Sequence, residues 1–250
     1  MNEYVKNLNR IEFVVTMACT GKCKHCSEGE HVNCSGYIDK DVAVKSVREI
    51  CQKYKINSLM TFGGEPLIYP DVVCAIHKTA TEMGIEKRQL ITNGYFSKNY
   101  ERIEEIVQEL ENSGVTNILL SVDAFHQETI PLEPVKHFAE CVSKTKISIK
   151  LSPAWLVSED DNNPYNIRTR EVLKEFSSYN IPTGSGNVIF PSGNALKYLG
   201  EYFEECEDFS SPYDEDPRDV KSICFSHNGD VLNGNVYNDD ILDILNNYQP

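Results

Sequence analysis

The chain has 250 residues, and its 38 acidic residues against 24 Lys and Arg give a net charge of −14 at pH 7. Such a field repels a phosphate backbone, so we expect no nucleic-acid partner. The composition is typical of a soluble globular protein. No apolar run approaches the roughly 18 residues of a membrane span, and the N-terminus lacks a signal-peptide pattern. We therefore expect a cytoplasmic protein without a membrane partner. Nine cysteines, an odd number, argue against a disulfide framework.

Strands and helices are predicted to alternate along the chain. A β-branched run predicts a first strand at Ile11–Met17, and helical spacing with Asp39 as N-cap predicts a helix over Asp39–Tyr54. Further strands are predicted at Ser58–Phe62, Gln89–Thr92, Asn117–Val122, Ile147–Leu151 and Asn187–Phe190. Further helices are predicted at Asp71–Met83, Tyr100–Asn112, Glu133–Lys144 and Thr169–Tyr179.

Six such units predict a parallel sheet of the α/β class. We expect a partial (β/α)6 TIM-like barrel over residues 1–195, with a doubly wound sheet as the alternative. Residues 196–250 are predicted to form an extension that contains an acidic segment, a short hairpin at Asn228-Gly229 and a helix. The acidic segment, Glu201 to Asp219, is interpreted as a solvated loop, with a docking surface for a cationic partner as the alternative. In both architectures the chemistry belongs at the carboxyl ends of the strands.

Three cysteines, Cys19, Cys23 and Cys26, follow the first strand on one loop. A structural zinc site needs four ligands, and Cys34 is a candidate for the fourth. The alternative is a 4Fe–4S cluster held by three thiolates, which leaves one iron open to bind a substrate or cofactor. The C-x3-C-x2-C spacing favours the cluster.

The cysteine motif and Gly63-Gly64-Glu65-Pro66, at the end of the second strand, resemble the motifs of the radical S-adenosylmethionine (SAM) superfamily. The resemblance extends from about Ile11 to Phe190. It implies that the cysteines hold a 4Fe–4S cluster and that the Gly-Gly-Glu-Pro segment holds the methionine amino group. Glycine allows close backbone approach, and a carboxylate accepts from an ammonium. Further SAM contacts implied by position are His25, Asn93, Ser121, Asp123 and the backbone of Asn187–Ile189.

The chemistry implied by this resemblance begins when the open iron chelates SAM. The reduced cluster then transfers an electron into the sulfonium, and the resulting 5′-deoxyadenosyl radical removes a hydrogen atom from a substrate. The cofactor supplies the difficult chemistry, while the protein positions it and excludes water. A reductant such as flavodoxin or ferredoxin is implied as a partner.

Several polar residues near strand ends remain as candidates for substrate binding. Trp155 is interpreted either as a lid or as a core residue, and the turn at Ser192 as a backbone anion site. The candidates are His126, Lys150, Ser152, Trp155 and Ser192.

The tail from Cys224 resembles a shortened form of the cluster-binding extensions (SPASM or twitch type) of peptide-modifying radical SAM enzymes. These extensions need several cysteines, whereas Cys206 and Cys224 are the only two after the predicted barrel. We therefore expect no auxiliary cluster. Cys51, Cys74 and Cys141 fall on predicted helices and are interpreted as core residues.

Three functions follow from these observations. The first is a radical SAM enzyme that modifies a peptide or protein side chain, as the tail's resemblance suggests. The second is a radical SAM enzyme that acts on a small molecule or activates another enzyme. The third is a non-catalytic iron–sulfur or zinc module, such as an electron carrier, which would have no use for an amine-binding turn.

Overall fold

A computed structural model describes residues 2–31, 34–203 and 214–250. Its strands are β1 Arg10–Thr16, β2 Ser58–Gly63, β3 Lys87–Thr92, β4 Asn117–Ser121, β5 Ser148–Ser152, β6 Ala154–Trp155, β7 Asn187–Val188, β8 Ser222–Phe225, β9 Asp230–Val231 and β10 Gly234–Asn235. The main sheet has the order β5-β4-β3-β2-β1-β8, and every pair in it is parallel. The fold is thus an α/β partial TIM-like barrel, as predicted.

Helices connect the strands of this sheet, and one more helix follows the last strand. The described α-helices are α1 Lys40–Lys53, α2 Pro70–Glu82, α3 Tyr100–Ser113, α4 Ala124–Gln127, α5 Leu132–Ser143, α6 Pro164–Lys174, α7 Gly193–Leu199 and α8 Ile241–Asn247. The Asp39 side chain accepts hydrogen bonds from the backbone N–H groups of Asp41 and Val42, so it is the N-cap of α1. Gly114 ends α3 at φ 85°, in the left-handed region that favours glycine.

Side-chain alternation along the strands separates a core from a cavity. In β1, the side chains of Ile11, Phe13 and Val15 are fully buried and belong to the main hydrophobic core. Val14 lies between them in sequence and lines the cavity. Because successive strand residues point to opposite faces, one face of the sheet packs on the helices and the other is open for a ligand.

The predicted sixth strand is shorter than expected and does not join the main sheet. Only Asn187 and Val188 form β7, which pairs in parallel with Ala154 and Trp155 of β6. Pro153 separates β5 from β6, and because proline has no N–H it interrupts the ladder at that position. The backbone N–H of Asn187 donates to the Pro153 carbonyl at 3.0 Å, which anchors β7 beside the cavity.

The predicted helix over Thr169–Tyr179 is wrong in its bounds, because the observed helix begins about one and a half turns earlier. Helix α6 begins at Pro164, because Asn163 caps it by accepting a hydrogen bond from the backbone N–H of Asn166. Proline is favoured in the first turn of a helix. The chain then leaves the α-helix at Lys174 and forms a 3-10 turn at Ser177–Tyr179.

The C-terminal segment is integrated into the barrel more closely than the sequence indicates. Strand β8 pairs with β1, and the Phe225 ring stacks on the Phe13 ring at a centroid distance of 4.7 Å. The chain turns at Asn228-Gly229, but β9, which follows this turn, forms its antiparallel hairpin with β10 instead of with the segment before the turn. The division at residue 195 stays a prediction.

Part of the predicted acidic segment, including Cys206, lies outside the described residues. Cys51, Cys74 and Cys141 lie on α1, α2 and α5 and pack half-buried against the core, as predicted. Among the helices that the structure describes, none combines the length and apolarity needed to cross a bilayer.

Candidate active site

A cavity of about 310 Å³ lies at the carboxyl ends of the strands. Its lining brings together residues from the loops after β1, β2, β3 and β4, from the end of β5, and from β7. Of the residues predicted from the sequence, it includes Cys19, Cys23, His25, Cys26, Gly63, Gly64, Asn93, Ser121, Asp123, His126 and Ser152.

The three predicted cluster cysteines line this one cavity as reduced thiols. Burial raises the pKa of Cys19 to about 11, raises that of Cys23 well above its ordinary value, and raises that of Cys26. Burial has this effect because it disfavours the charged thiolate. A metal centre reverses that preference by coordinating the thiolates, so its binding releases protons.

The start of helix α7 fixes the backbone of the cysteine loop. The buried Asn194 side-chain amide donates to the Cys23 carbonyl at 3.0 Å, and its backbone N–H donates to the Cys26 carbonyl at 2.9 Å. Gly193 has φ 50°, and a Cβ there would lie 2.3 Å from the Ser27 carbonyl oxygen. This contact requires a glycine, because a side chain at this position would push the two segments apart.

The Gly-Gly pair brings the β2 end against the β1 end. A Cβ at Gly64 would lie 2.2 Å from the Ala18 carbonyl oxygen. Gly63 has φ 141°, and a Cβ at this position would be similarly close to the backbone of Thr16. Both glycines therefore allow the second strand to approach the cysteine loop, and both line the cavity.

Glu65 lies behind the cavity wall, and its role toward SAM stays a prediction. It is fully buried and does not line the cavity. Its carboxylate accepts from the Leu67 N–H at 2.9 Å, the Thr92 hydroxyl at 2.7 Å and the Asn93 N–H at 2.8 Å. Burial raises its pKa to about 7 against these hydrogen bonds. The carboxylate thus links the ends of β2 and β3 and leaves the cavity surface to the backbone of Gly63 and Gly64.

An imidazole–carboxylate cluster forms one wall of the cavity. The His126 Nδ1 lies 2.8 Å from the fully buried Asp123 carboxylate, which also accepts from the Ala154 N–H. Although burial opposes ionisation of both groups, their mutual attraction lowers the pKa of Asp123 to about 2 and raises that of His126. The His25 ring lies 4.9 Å from the rings of Phe125 and His126, and burial lowers its pKa to about 4.

Asn93 connects the third strand end to the cysteine loop. Its side-chain amide lies 3.2 Å from the Thr20 hydroxyl and 3.7 Å from Cys19 Sγ. Ser121 and Ser152 are register partners at the ends of β4 and β5, and both line the cavity. These three residues place amide and hydroxyl groups around the space above the sheet.

Four predicted residues besides Glu65 lie outside the cavity lining. Pro66 is buried in a 3-10 turn, and Lys150 is exposed on β5. Trp155 is buried and donates from Nε1 to the Ser185 carbonyl, so it is a core residue instead of a lid. The Ser192 hydroxyl donates to the Ser27 carbonyl at 3.2 Å. Ser192 therefore braces the cysteine loop where an anion site was predicted.

Sequence reasoning missed several residues of the site. His31 Nε2 lies 3.2 Å from Cys26 Sγ, and His31 and Glu28 both line the cavity. His31 follows the motif by only five residues, and its type makes it a plausible partner for a thiolate. Asn194 carries no signal of its own, because its contacts depend on how the start of helix α7 packs against the cysteine loop.

These residues fit a three-thiolate centre with a bound amino acid derivative. Cys19, Cys23 and Cys26 line the cavity together with backbone and side-chain polar groups. His25 Nδ1 and His31 Nδ1 are buried and have no hydrogen-bond partner among the described residues. Buried polar atoms without partners are uncommon in proteins and mark places where a ligand can supply the contact.

Comparison with known families agrees with this geometry. The sequence profile of the radical SAM superfamily matches residues 13–145, which is more than half of the chain. The chain belongs to the radical SAM superfamily. It is therefore a radical SAM enzyme, and its cofactors are a 4Fe–4S cluster and SAM.

Sequence relatives include GTP 3′,8-cyclases. A probable GTP 3′,8-cyclase of Saccharolobus solfataricus is 26% identical over 222 residues, which cover 82% of this chain and 68% of the relative. The GTP 3′,8-cyclase of Vibrio parahaemolyticus is 28% identical over 123 residues, which cover 46% of this chain and 35% of the relative.

Solved radical SAM structures share the fold. Streptococcus suis SuiB, bound to the precursor peptide SuiA, superposes with a TM-score of 0.58 at 14% identity over 95% of this chain and 64% of SuiB. The enzyme anSMEcpe with bound AdoMet (SAM) gives a TM-score of 0.54 at 16% identity over 79% of this chain and 59% of its own. The chain thus spans less than two thirds of the length of both solved proteins.

Proposed function

We propose that this radical SAM enzyme abstracts a hydrogen atom from a peptide or protein side chain. When bound, the cluster and SAM supply a 5′-deoxyadenosyl radical for that step. Cys19, Cys23 and Cys26 would hold the cluster. The Gly63-Gly64 backbone, Asn93, Ser121 and Asp123 would bind and orient SAM, with His25 beside its adenine.

The observation that carries the choice of substrate class is the charge of the cavity wall. Among the described residues that line it, none is Lys or Arg, while Glu28 and Asp123 contribute carboxylates. A nucleoside triphosphate brings several negative charges and is usually bound through cationic side chains or a metal ion. A neutral or cationic peptide side chain enters this wall without that electrostatic cost.

Two further observations support a peptide. SuiB, a structure with the same fold, is bound to a precursor peptide. The chain's net charge of −14 would attract a basic peptide by long-range steering.

A small molecule is the second candidate, because the sequence relatives are named as GTP 3′,8-cyclases. Lys150 lies on β5 beyond the cavity lining, two residues before Ser152. Lys150 is the one cationic side chain of β5. A substrate that extended away from the strand ends could place a phosphate beside it.

The two candidates are separated by one assay on the anaerobically reconstituted enzyme with SAM and dithionite. One arm contains GTP, and the other contains synthetic peptides encoded by short reading frames beside the gene, with deuterated side chains. We expect deuterium in 5′-deoxyadenosine and a mass change in a peptide, with GTP unaltered. Consumption of GTP in step with 5′-deoxyadenosine formation would overturn the peptide assignment. The Cys23→Ala variant is the control for cluster-independent reactions.

A further inference from the structure

Helices α3 and α5 place three potential metal ligands together on the outer side of the barrel. Glu104 lies on α3, while His137 and Cys141 lie on α5. One carboxylate oxygen, one ring nitrogen and Sγ all lie within 4.8 Å of one another. None of these residues lines the cavity, so this Glu104–His137–Cys141 cluster is separate from the active site.

The distances within the cluster match those between ligands on one tetrahedral ion. His137 Nε2 lies 3.1 Å from Glu104 Oε1 and 3.6 Å from Cys141 Sγ. With zinc bonds of about 2.1 Å to N and O and about 2.3 Å to S, a tetrahedral angle separates N from O by about 3.4 Å and N from S by about 3.6 Å. The same imidazole nitrogen faces both partners, which is the position a shared metal ion requires.

The surroundings of the cluster restrict its geometry. His137 and Cys141 are four residues apart on one helix, so their side chains lie on the same face. The Tyr100 ring stacks on the His137 ring at 4.2 Å with an interplanar angle of 11°, which holds the imidazole in place. The His137 side chain is 19% exposed, so it is partly shielded while a path from solvent remains.

We propose that Glu104, His137 and Cys141 bind a zinc-class divalent cation, with water at the fourth position. Thiolate, imidazole and carboxylate together form a ligand set that suits Zn²⁺ and excludes Ca²⁺ and Mg²⁺, which take oxygen ligands. The ion would join α3 to α5 and so stabilise the outer layer of the barrel beside β4 and β5. The site's three protein ligands predict a metal that exchanges more readily than one in a closed four-ligand site.

The test uses the enzyme with its iron–sulfur cluster assembled, so that the cluster cysteines are occupied, and adds Co²⁺ alone and then Zn²⁺ alone. We expect one Co²⁺ per chain with a thiolate-to-cobalt charge-transfer band, which Zn²⁺ then displaces, and an upward shift of the melting temperature with Zn²⁺. Cys141→Ser should abolish the band. His137→Gln should weaken binding by at least about 10-fold.

Cys51→Ser is the matched control, because Cys51 is also a half-buried helical cysteine but belongs to no group of three potential metal ligands among the described residues. It should bind Co²⁺ as the unmodified protein does. SAM cleavage should be unchanged in His137→Gln, since the Glu104–His137–Cys141 cluster lies outside the active site. A Co²⁺ band that persists in both Cys141→Ser and His137→Gln, or the absence of any band in the unmodified protein, would overturn the proposal.

Discussion

The cysteine loop depends on a residue that coordinates nothing. Asn194 donates to the carbonyls of Cys23 and Cys26, and it does so from the start of helix α7, about 170 residues further along the chain. These hydrogen bonds hold the backbone of the cysteine loop and so position its thiols. Ser192, two residues earlier, contacts the same loop through the Ser27 carbonyl but is more exposed.

We predict that Asn194→Ala lowers iron retention after desalting, while Ser192→Ala leaves it unchanged. Removing the amide takes away the shorter of the two hydrogen bonds to the Cys23 carbonyl and leaves the one from the Cys26 N–H at 3.3 Å, which costs about 1 kcal/mol. Iron and sulfide analysis of the reconstituted proteins measures the effect. Equal loss of iron from both variants would show that the loop contact as a whole, instead of Asn194, holds the cysteines.

His31 is the residue positioned to modulate the cluster itself. Its Nε2 lies 3.2 Å from Cys26 Sγ, and hydrogen bonds to cluster sulfurs stabilise the reduced, more negative state. We predict that His31→Ala lowers the midpoint potential of the cluster without loss of iron. Redox titration followed by EPR measures it, and an unchanged or raised potential would exclude a donor role.

At the scale of elements, β8 extends the sheet beyond the predicted barrel. Phe225 is fully buried against Phe13, whereas its neighbour Cys224 is exposed on the opposite face of the strand. We predict that Phe225→Ala lowers the free energy of unfolding by about 3–5 kcal/mol. Cys224→Ala should change it little.

Urea denaturation of the two β8 variants measures this difference. Similar midpoints for Phe225→Ala and the unmodified protein would mean that the C-terminal strand is dispensable to the barrel. That result would favour the predicted boundary at residue 195 as a domain limit.

Helix α2 packs on β2 through a buried histidine. His77 Nε2 lies 2.9 Å from the Thr61 hydroxyl, and burial lowers the pKa of His77 to about 3. Its ordinary pKa in the unfolded chain is near 6.5, so unfolding takes up a proton below that pH. The native state therefore loses stability as the pH falls below 6.5, and the loss continues until the pH approaches 3.

We predict that His77→Gln removes this part of the pH dependence. Between pH 7.5 and 5.5 the unmodified protein should lose about 1.4 kcal/mol of stability that the variant keeps, since the other titrating groups are common to both. Urea denaturation at the two pH values provides the comparison. Parallel pH profiles would show that His77 has an ordinary pKa in the folded protein.

At the scale of the whole molecule, the elements that could be predicted from the sequence are those that a local residue pattern marks. Short apolar runs located β1 to β5, and helical spacing located α1, α2, α3 and α5 but not the short α4. The cysteine and Gly-Gly motifs indicated where the strand ends meet. The β7 and β8 pairings could not be predicted in this way. A two-residue strand such as β7 has no periodicity, and the parallel pairing of β8 with β1 joins segments about 210 residues apart.

The same distinction applies to the site. Residues inside short motifs, such as Cys19 and Gly64, line the cavity at the strand ends. Glu65 belongs to a motif too, but its orientation depends on Thr92 and the Asn93 backbone, which supply donors from another strand. Trp155 and Ser192 were candidates because they follow predicted strand ends, but the Trp155 Nε1–H donates to the Ser185 carbonyl and the Ser192 hydroxyl donates to the Ser27 carbonyl, so neither lines the cavity.

The central claim is that three thiolates at one end of the barrel hold a cluster with a free coordination position for SAM. Its most direct test is EPR of the dithionite-reduced, anaerobically reconstituted enzyme before and after SAM is added, with 5′-deoxyadenosine measured in the same samples. The account predicts about four irons per chain, a changed EPR signal with SAM, and formation of 5′-deoxyadenosine that the Cys23→Ala variant does not support. A fully loaded cluster whose signal ignores SAM and that yields no 5′-deoxyadenosine would contradict it.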